Sequence, residues 1–117
     1  MKASNWLTVA VAVVVSAAAT AAESPAPVCS GQVACERMWL KAQETAETLS
    51  GMKLRMVTES RIETFPPSSQ DRTGITVLKY PLGGGRYEIR AKFECHPSRD
   101  CSKIAPLGLD AFNSTLN

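Results

Sequence analysis

The residues Arg86–Cys95 alternate strictly between apolar and charged side chains. The odd-numbered positions, from Tyr87 to Cys95, are apolar or aromatic, whereas the even-numbered positions, from Arg86 to Glu94, are all charged. Successive side chains of a β-strand point to opposite faces of a sheet, so this alternation predicts a strand with one buried and one solvent-facing row. We call the buried side of the predicted sheet the packed face and the other side the open face.

A helical pattern precedes this strand and a second one follows it. Over residues 32–50 the apolar residues recur at steps of three and four, which predicts a helix with one apolar stripe and places Trp39 in the core. Ser30 is the expected N-cap of this helix, and Gly51 is its expected end. Residues 107–116 predict a shorter helix that covers the rest of the packed face.

Two further strands are predicted between the first helix and Arg86–Cys95. Met52–Phe65 alternates for most of its length and predicts one long strand, with Val57 out of step. Ile75–Tyr80 is rich in β-branched and aromatic residues and predicts the next strand, which a glycine-rich hairpin turn joins to Arg86–Cys95. The predicted fold class is therefore α+β: a small α-β-β-β-α domain, with a three-stranded antiparallel sheet and helices packed on one face.

The first 22 residues predict a signal peptide that is removed on export. Lys2 supplies a positive charge before the apolar run Trp6–Ala19, and Ala19–Ala22 offers small residues for cleavage by a signal peptidase. A membrane anchor is the alternative, but the uncharged run is shorter than the roughly 20 residues that a spanning helix needs. Removing 22 of the 117 residues leaves 95, residues 23–117, as one small disulfide-stabilised domain. We expect it to be periplasmic or secreted, with no further membrane span.

Residues 23–117 contain four cysteines, in two C-x5-C pairs. In an exported protein an even number of cysteines predicts disulfides, and four cysteines allow three connectivities. We favour the local pairs Cys29–Cys35 and Cys95–Cys101, and a bridge between Cys35 and Cys95 is the main alternative. No metal site is expected, because structural zinc sites favour about two to four residues between paired cysteines. No cofactor motif is present.

The only histidine, His96, lies between Cys95 and Cys101 together with Ser98 and Asp100. These are the residue types of a hydrolytic triad, but no G-x-S-x-G or related motif accompanies them. We therefore predict that the protein is not an enzyme. A small secreted hydrolase that uses His96 with the neighbouring carboxylates is the alternative.

The open face collects more basic than acidic residues. Its candidate binding residues are Arg55, Arg61, Arg86, Arg90 and Lys92, with glutamates interspersed. The net charge of +2 falls to +1 when Lys2 leaves with the leader, so nucleic acid is not an expected partner. An acidic protein or an envelope polymer would suit this face, whereas a solvated face with weak ion pairs is the alternative.

The combined prediction is an exported, non-enzymatic binding module of inhibitor-like character. Its partner would contact the charged open face or the loop between Cys95 and Cys101. A structural or accessory subunit of the cell envelope is a further alternative, in which another subunit covers the sheet.

Overall fold

A computed structural model of the protein describes Ala10, Ala12 and residues 24–117. The elements in chain order are β1 (Val28–Ser30), α1 (Gln32–Ser50), β2 (Leu54–Val57), β3 (Arg61–Thr64), β4 (Thr73–Gly83), β5 (Arg86–Cys95) and α2 (Ile104–Leu116). The strands form one antiparallel sheet in the spatial order β1-β5-β4-β3-β2. The predicted leader lies outside the described residues, apart from Ala10 and Ala12, and stays a prediction. No helix in the described part of the chain has the length and hydropathy to cross a bilayer.

The prediction of an α+β domain is confirmed, but the predicted count of three strands is wrong, because residues 24–117 form a sheet of five. The segment predicted as one strand, Met52–Phe65, forms two strands with a tight turn between them. At this turn the Thr58 hydroxyl accepts hydrogen bonds from the backbone N–H groups of Ser60 (3.3 Å) and Arg61 (3.0 Å). Such a turn needs neither glycine nor proline, so the residue pattern carries little sign of it.

The other unpredicted strand, β1, is only three residues long and pairs with β5 beside the hairpin. Cys29 of β1 lies opposite Tyr87 and forms a disulfide with Cys35 of α1. This disulfide therefore fastens the first turns of α1 to the edge of the sheet. The expected N-cap, Ser30, belongs to β1 instead, and Gly31 occupies the N-cap position.

A β-bulge at Arg55 changes which side chains of β2 share a face. The pairing with β3 skips one residue between Leu54 and Met56. Met56 therefore lies on the open face, although the sequence alternation places it on the packed face. The same shift moves Val57 to the packed side, which explains why Val57 is out of step in the sequence pattern.

Both helices pack on one face of the sheet, and the core lies between them and the strands. The core residues are Trp39, Ala42, Ala46, Ile62, Ile75, Val77, Ile89, Phe112 and Leu116. Burying one large apolar side chain contributes about 1.5–3 kcal/mol, so this layer is the main source of stability. The helix α1 spans the predicted residues and ends at Gly51, whereas α2 begins at Ile104 rather than at Leu107.

The central hairpin of β4 and β5 is the longest pairing in the sheet. The strand β5 has the predicted bounds, and β4 extends beyond Ile75–Tyr80 in both directions. A two-residue turn of Gly84 and Gly85 closes the hairpin, with φ angles of 63° and 75°. Positive φ at both central residues is what a type I′ hairpin turn requires.

The helix α2 holds the segment before β1 in place. The Ser24 backbone N–H donates to Asp110 Oδ1 at 2.8 Å, and Asn113 Nδ2 donates to the Ser24 carbonyl at 3.0 Å. A second disulfide, between Cys95 and Cys101, spans the connection from β5 to α2. Two disulfides in so short a domain indicate an extracellular or otherwise oxidising compartment.

Candidate functional site

The open face is a surface of all five strands that neither helix covers. Its charged members are Arg55, Arg61, Glu63, Arg86, Glu88, Arg90, Lys92 and Glu94. All five basic residues predicted for this face are exposed. Five cations against three carboxylates give the face an excess of two positive charges.

Two of the predicted basic residues share one carboxylate. Arg61 Nη2 lies 2.5 Å from Glu63 Oε1, and Arg55 Nη2 lies 3.4 Å from Glu63 Oε2. The hydrogen bond from Arg61 is the main cause that lowers the pKa of Glu63, and Arg55 adds to it. The side chains of Arg55 and Arg61 are about half exposed, whereas the side chain of Glu63 is 12% exposed. The bulge at Arg55 places Met56, rather than Arg55, opposite Glu63 in the pairing of β2 with β3.

A third predicted residue, Arg90, is held on the face by two neighbours. Its Nε lies 2.8 Å from Glu88 Oε1, and this hydrogen bond raises the pKa of Arg90. Its guanidinium carbon lies 4.2 Å from the centroid of the Tyr80 ring on the adjacent strand. Arginine over an aromatic face is a favourable cation–π arrangement. The result is an exposed stack of aromatic ring and guanidinium near the hairpin.

The remaining two predicted residues, Arg86 and Lys92, take part in none of the ion pairs found among residues 24–117. Both lie on β5, six positions apart, so about 20 Å of strand separates them at roughly 3.3 Å per residue. Their charge is therefore available to a partner. This spacing suits an extended macromolecule better than one small anion.

The loop between Cys95 and Cys101 brings together only two of the predicted hydrolase residues. His96 Nδ1 lies 2.6 Å from Ser98 Oγ. Asp100 instead accepts hydrogen bonds from the backbone N–H (3.0 Å) and the hydroxyl (3.1 Å) of Ser102, and these lower the pKa of Asp100. Within residues 24–117 no group of three metal-ligating side chains converges on one point.

A cleft of about 820 Å³ opens on the helix side of the sheet, between the first half of α1 and the hairpin end of β4 and β5. We call it the α1 cleft. Its walls include Glu36, Trp39, Leu40, Glu59, Lys79 and Tyr87. Glu59 comes from the unpredicted turn between β2 and β3, so this turn completes the cleft.

Lys79 is the central charged residue of the α1 cleft. Its ammonium nitrogen lies 4.6 Å from the centroid of the Trp39 ring and 5.6 Å from that of the Tyr87 ring. Lys79 belongs to the packed row of β4, which continues from the buried residues Ile75 and Val77. The packed row of β4 therefore lies in the core up to Val77 and lines the α1 cleft from Lys79 onwards.

The sequence patterns did not identify the α1 cleft, because its shape depends on how α1 lies across the sheet. Two signals point towards it. A lysine, Lys79, occupies the packed row of a strand, and Tyr87 is the one polar aromatic residue in the packed row of β5. When a side chain in the packed row ends in a charged or polar group, that side of the sheet is expected to be open to solvent at that position.

Comparisons of this chain with protein-family models, with curated proteins and with solved structures find no match. The open face, the Cys95–Cys101 loop and the α1 cleft are therefore the features that bear on function.

Proposed function

We propose that this protein is an exported, non-enzymatic binding module whose open face docks an acidic segment of another protein. The observation that carries the proposal is the excess of two positive charges on a sheet face that neither helix covers. Arg86 and Lys92 supply charge that no described carboxylate neutralises. Charge complementarity of this kind accelerates association and excludes basic partners.

An acidic protein fits this face better than an envelope polysaccharide does, because the face also presents apolar and aromatic side chains. Between the charges lie Met56, which is 41% exposed, and Tyr80, which is 38% exposed. Apolar and aromatic side chains inside a charged rim are typical of protein interfaces.

Paired charge reversal tests the proposal without disturbing the ion pairs of the face. The variant Arg86→Glu/Lys92→Glu should bind poly-L-glutamate, as a model acidic polypeptide, about tenfold more weakly than the wild type does, through loss of charge complementarity. Binding by the wild type should also weaken steeply as salt is raised, since exposed charges are screened. Arg37→Glu/Lys41→Glu changes the net charge by the same amount at two exposed residues of α1 away from this face, so it is the matched control and should bind as the wild type does.

Thermal midpoints measured in parallel show whether each variant is folded. Equal binding by the wild type and the double variant, both folded, would overturn the proposal. Binding of a sulfated polysaccharide but not of poly-L-glutamate would instead indicate an envelope polymer as the partner. Turnover across a hydrolase substrate panel that Ser98→Ala abolishes would contradict the non-enzymatic assignment.

A further inference from the structure

The α1 cleft contains a lysine, Lys79, that forms no ion pair with the described residues 24–117. Lys79 carries three N–H donors at its ammonium group. The rings of Trp39 and Tyr87 attract the ammonium through their π faces, but they leave its donors free for a stronger acceptor. A carboxylate in the cleft would supply that acceptor in a charge-assisted hydrogen bond.

Two carboxylates in the same walls restrict which anion can enter. Glu36 and Glu59 line the α1 cleft with Lys79, so its walls carry one more negative than positive charge. Glu36 Oε1 accepts a hydrogen bond from Gln32 Nε2 at 3.2 Å, and this bond holds the Glu36 carboxylate at the rim of the α1 cleft. The two glutamates would repel a ligand with several negative charges. A ligand with one carboxylate and one ammonium group instead complements both the lysine and the glutamates.

The cleft also has apolar walls and is large enough for a small molecule. Leu40 is 61% exposed at its edge, and Trp39 forms part of its floor. The volume of about 820 Å³ lies within the roughly 300–1,000 Å³ of ordinary ligand pockets. An exposed leucine beside an aromatic ring suits an apolar side chain of the ligand.

From this arrangement we infer that the α1 cleft binds a small zwitterion with an apolar side chain, an amino acid or a short peptide. The ligand carboxylate would bind Lys79, its ammonium would face Glu36 and Glu59, and its apolar side chain would contact Leu40. This site lies on the helix side of the sheet, opposite the open face. It goes beyond the proposed docking function and does not depend on it.

Intrinsic fluorescence can test the site directly, because Trp39 is the only tryptophan in residues 23–117. The probe is the dipeptide Leu-Leu, titrated into the exported protein at neutral pH, with calorimetry as a second readout. We expect saturable binding with a change in Trp39 emission. Leu-Leu amide lacks the carboxylate and should bind at least about tenfold more weakly, which is the scale of one lost charge-assisted hydrogen bond. N-acetyl-Leu-Leu lacks the ammonium and should also bind more weakly.

Variants of Lys79 test whether this residue binds the carboxylate of the ligand. Lys79→Gln should bind Leu-Leu about tenfold more weakly or worse, and should no longer distinguish Leu-Leu from its amide. Lys79→Arg keeps the charge and should retain most of the affinity. Lys92→Gln removes a lysine from the open face instead, and should bind Leu-Leu as the wild type does.

Three results would overturn the inference. One is the absence of Leu-Leu binding to the wild type at millimolar concentration, and another is equal binding of Leu-Leu and its amide. Both use the wild-type protein, so they hold even where Lys79→Gln does not fold. The third is unchanged affinity in a folded Lys79→Gln variant. Loss of poly-L-glutamate binding in the open-face variant with Leu-Leu binding retained would separate the two proposals.

Discussion

The indole Nε1 of Trp39 donates a hydrogen bond to the backbone carbonyl of Thr58 at 2.9 Å. This bond joins the middle of α1 to the turn between β2 and β3. Trp39 is only 7% exposed, so the same side chain also belongs to the core. It therefore fixes the position of the helix, of the turn and of the ring beside Lys79 together.

Replacing Trp39 separates its hydrogen bond from its packing. Trp39→Phe keeps an aromatic ring but loses the bond to Thr58, and should lower the free energy of unfolding by about 1 kcal/mol for the bond alone. Trp39→Ala also empties part of the core and should cost about 3–5 kcal/mol. Urea denaturation followed by far-ultraviolet circular dichroism measures both values. A Trp39→Phe variant as stable as the wild type would show that the bond contributes nothing net.

The sequence predicted the elements whose local pattern is regular over many residues. The helix α1 and the strand β5 have the predicted bounds, because one apolar stripe and one strict alternation specify them. The turn at Thr58 escaped prediction because a side-chain hydroxyl forms it, within a segment that still alternates on either side. The strand β1 was not predicted, because three residues are too few to show an alternating pattern. Its position is set by its pairing with β5 and by the Cys29–Cys35 disulfide.

The candidate sites divide in the same way. The five basic residues of the open face could be predicted, because strand parity alone places them on one side of the sheet. Their pairing could not, since the contact of Arg55 with Glu63 and the Arg90–Tyr80 stack both depend on how neighbouring strands are aligned. The α1 cleft depends on the packing of a helix, a turn and a hairpin, which lie far apart in the sequence.

The two disulfides should differ in their contribution to stability, although they close loops of the same length. Each joins cysteines six positions apart, and the chain-entropy model gives about 2 kcal/mol for either loop. Cys29 and Cys35 are buried at 3% and 4% exposure, whereas Cys95 and Cys101 are half-buried. Cys29→Ala/Cys35→Ala should therefore lower the free energy of unfolding by more than Cys95→Ala/Cys101→Ala does. Urea denaturation of both double variants measures this difference, and equal losses would contradict the role assigned to burial.

Gly31, between β1 and α1, is predicted to resist substitution for a purely conformational reason. Its φ of 86° and ψ of 157° fall in a region that is nearly restricted to glycine, while an added Cβ would meet nothing within 4 Å. Gly31→Ala should therefore cost about 1–3 kcal/mol of unfolding free energy. Gly51→Asn is the matched control, because asparagine tolerates the left-handed conformation at the end of α1. Thermal denaturation should rank Gly31→Ala as the less stable variant, and the opposite order would contradict the strain argument.

Glu63 should make the stability of the domain depend on pH in the acidic range. The hydrogen bond from Arg61 lowers the pKa of Glu63 in the folded protein below its ordinary value of about 4.5. Between the two pKa values the unfolded chain binds more protons than the folded one, so the free energy of unfolding rises with pH there. The contribution of Glu63 is therefore complete above about pH 4.5 and is lost as the pH falls through the lowered value.

The variant Glu63→Gln isolates this effect, because glutamine cannot ionise. The wild type should be more stable than Glu63→Gln at neutral pH, and the difference should shrink steadily as the pH falls below about 4.5. Glu94→Gln is the control, since Glu94 lies on the same face and takes part in none of the ion pairs of residues 24–117. Urea denaturation across the acidic range gives the free energies for all three proteins. A wild-type advantage over Glu63→Gln that stays constant down to strongly acidic pH would show that the Arg61–Glu63–Arg55 cluster does not stabilise the ionised carboxylate.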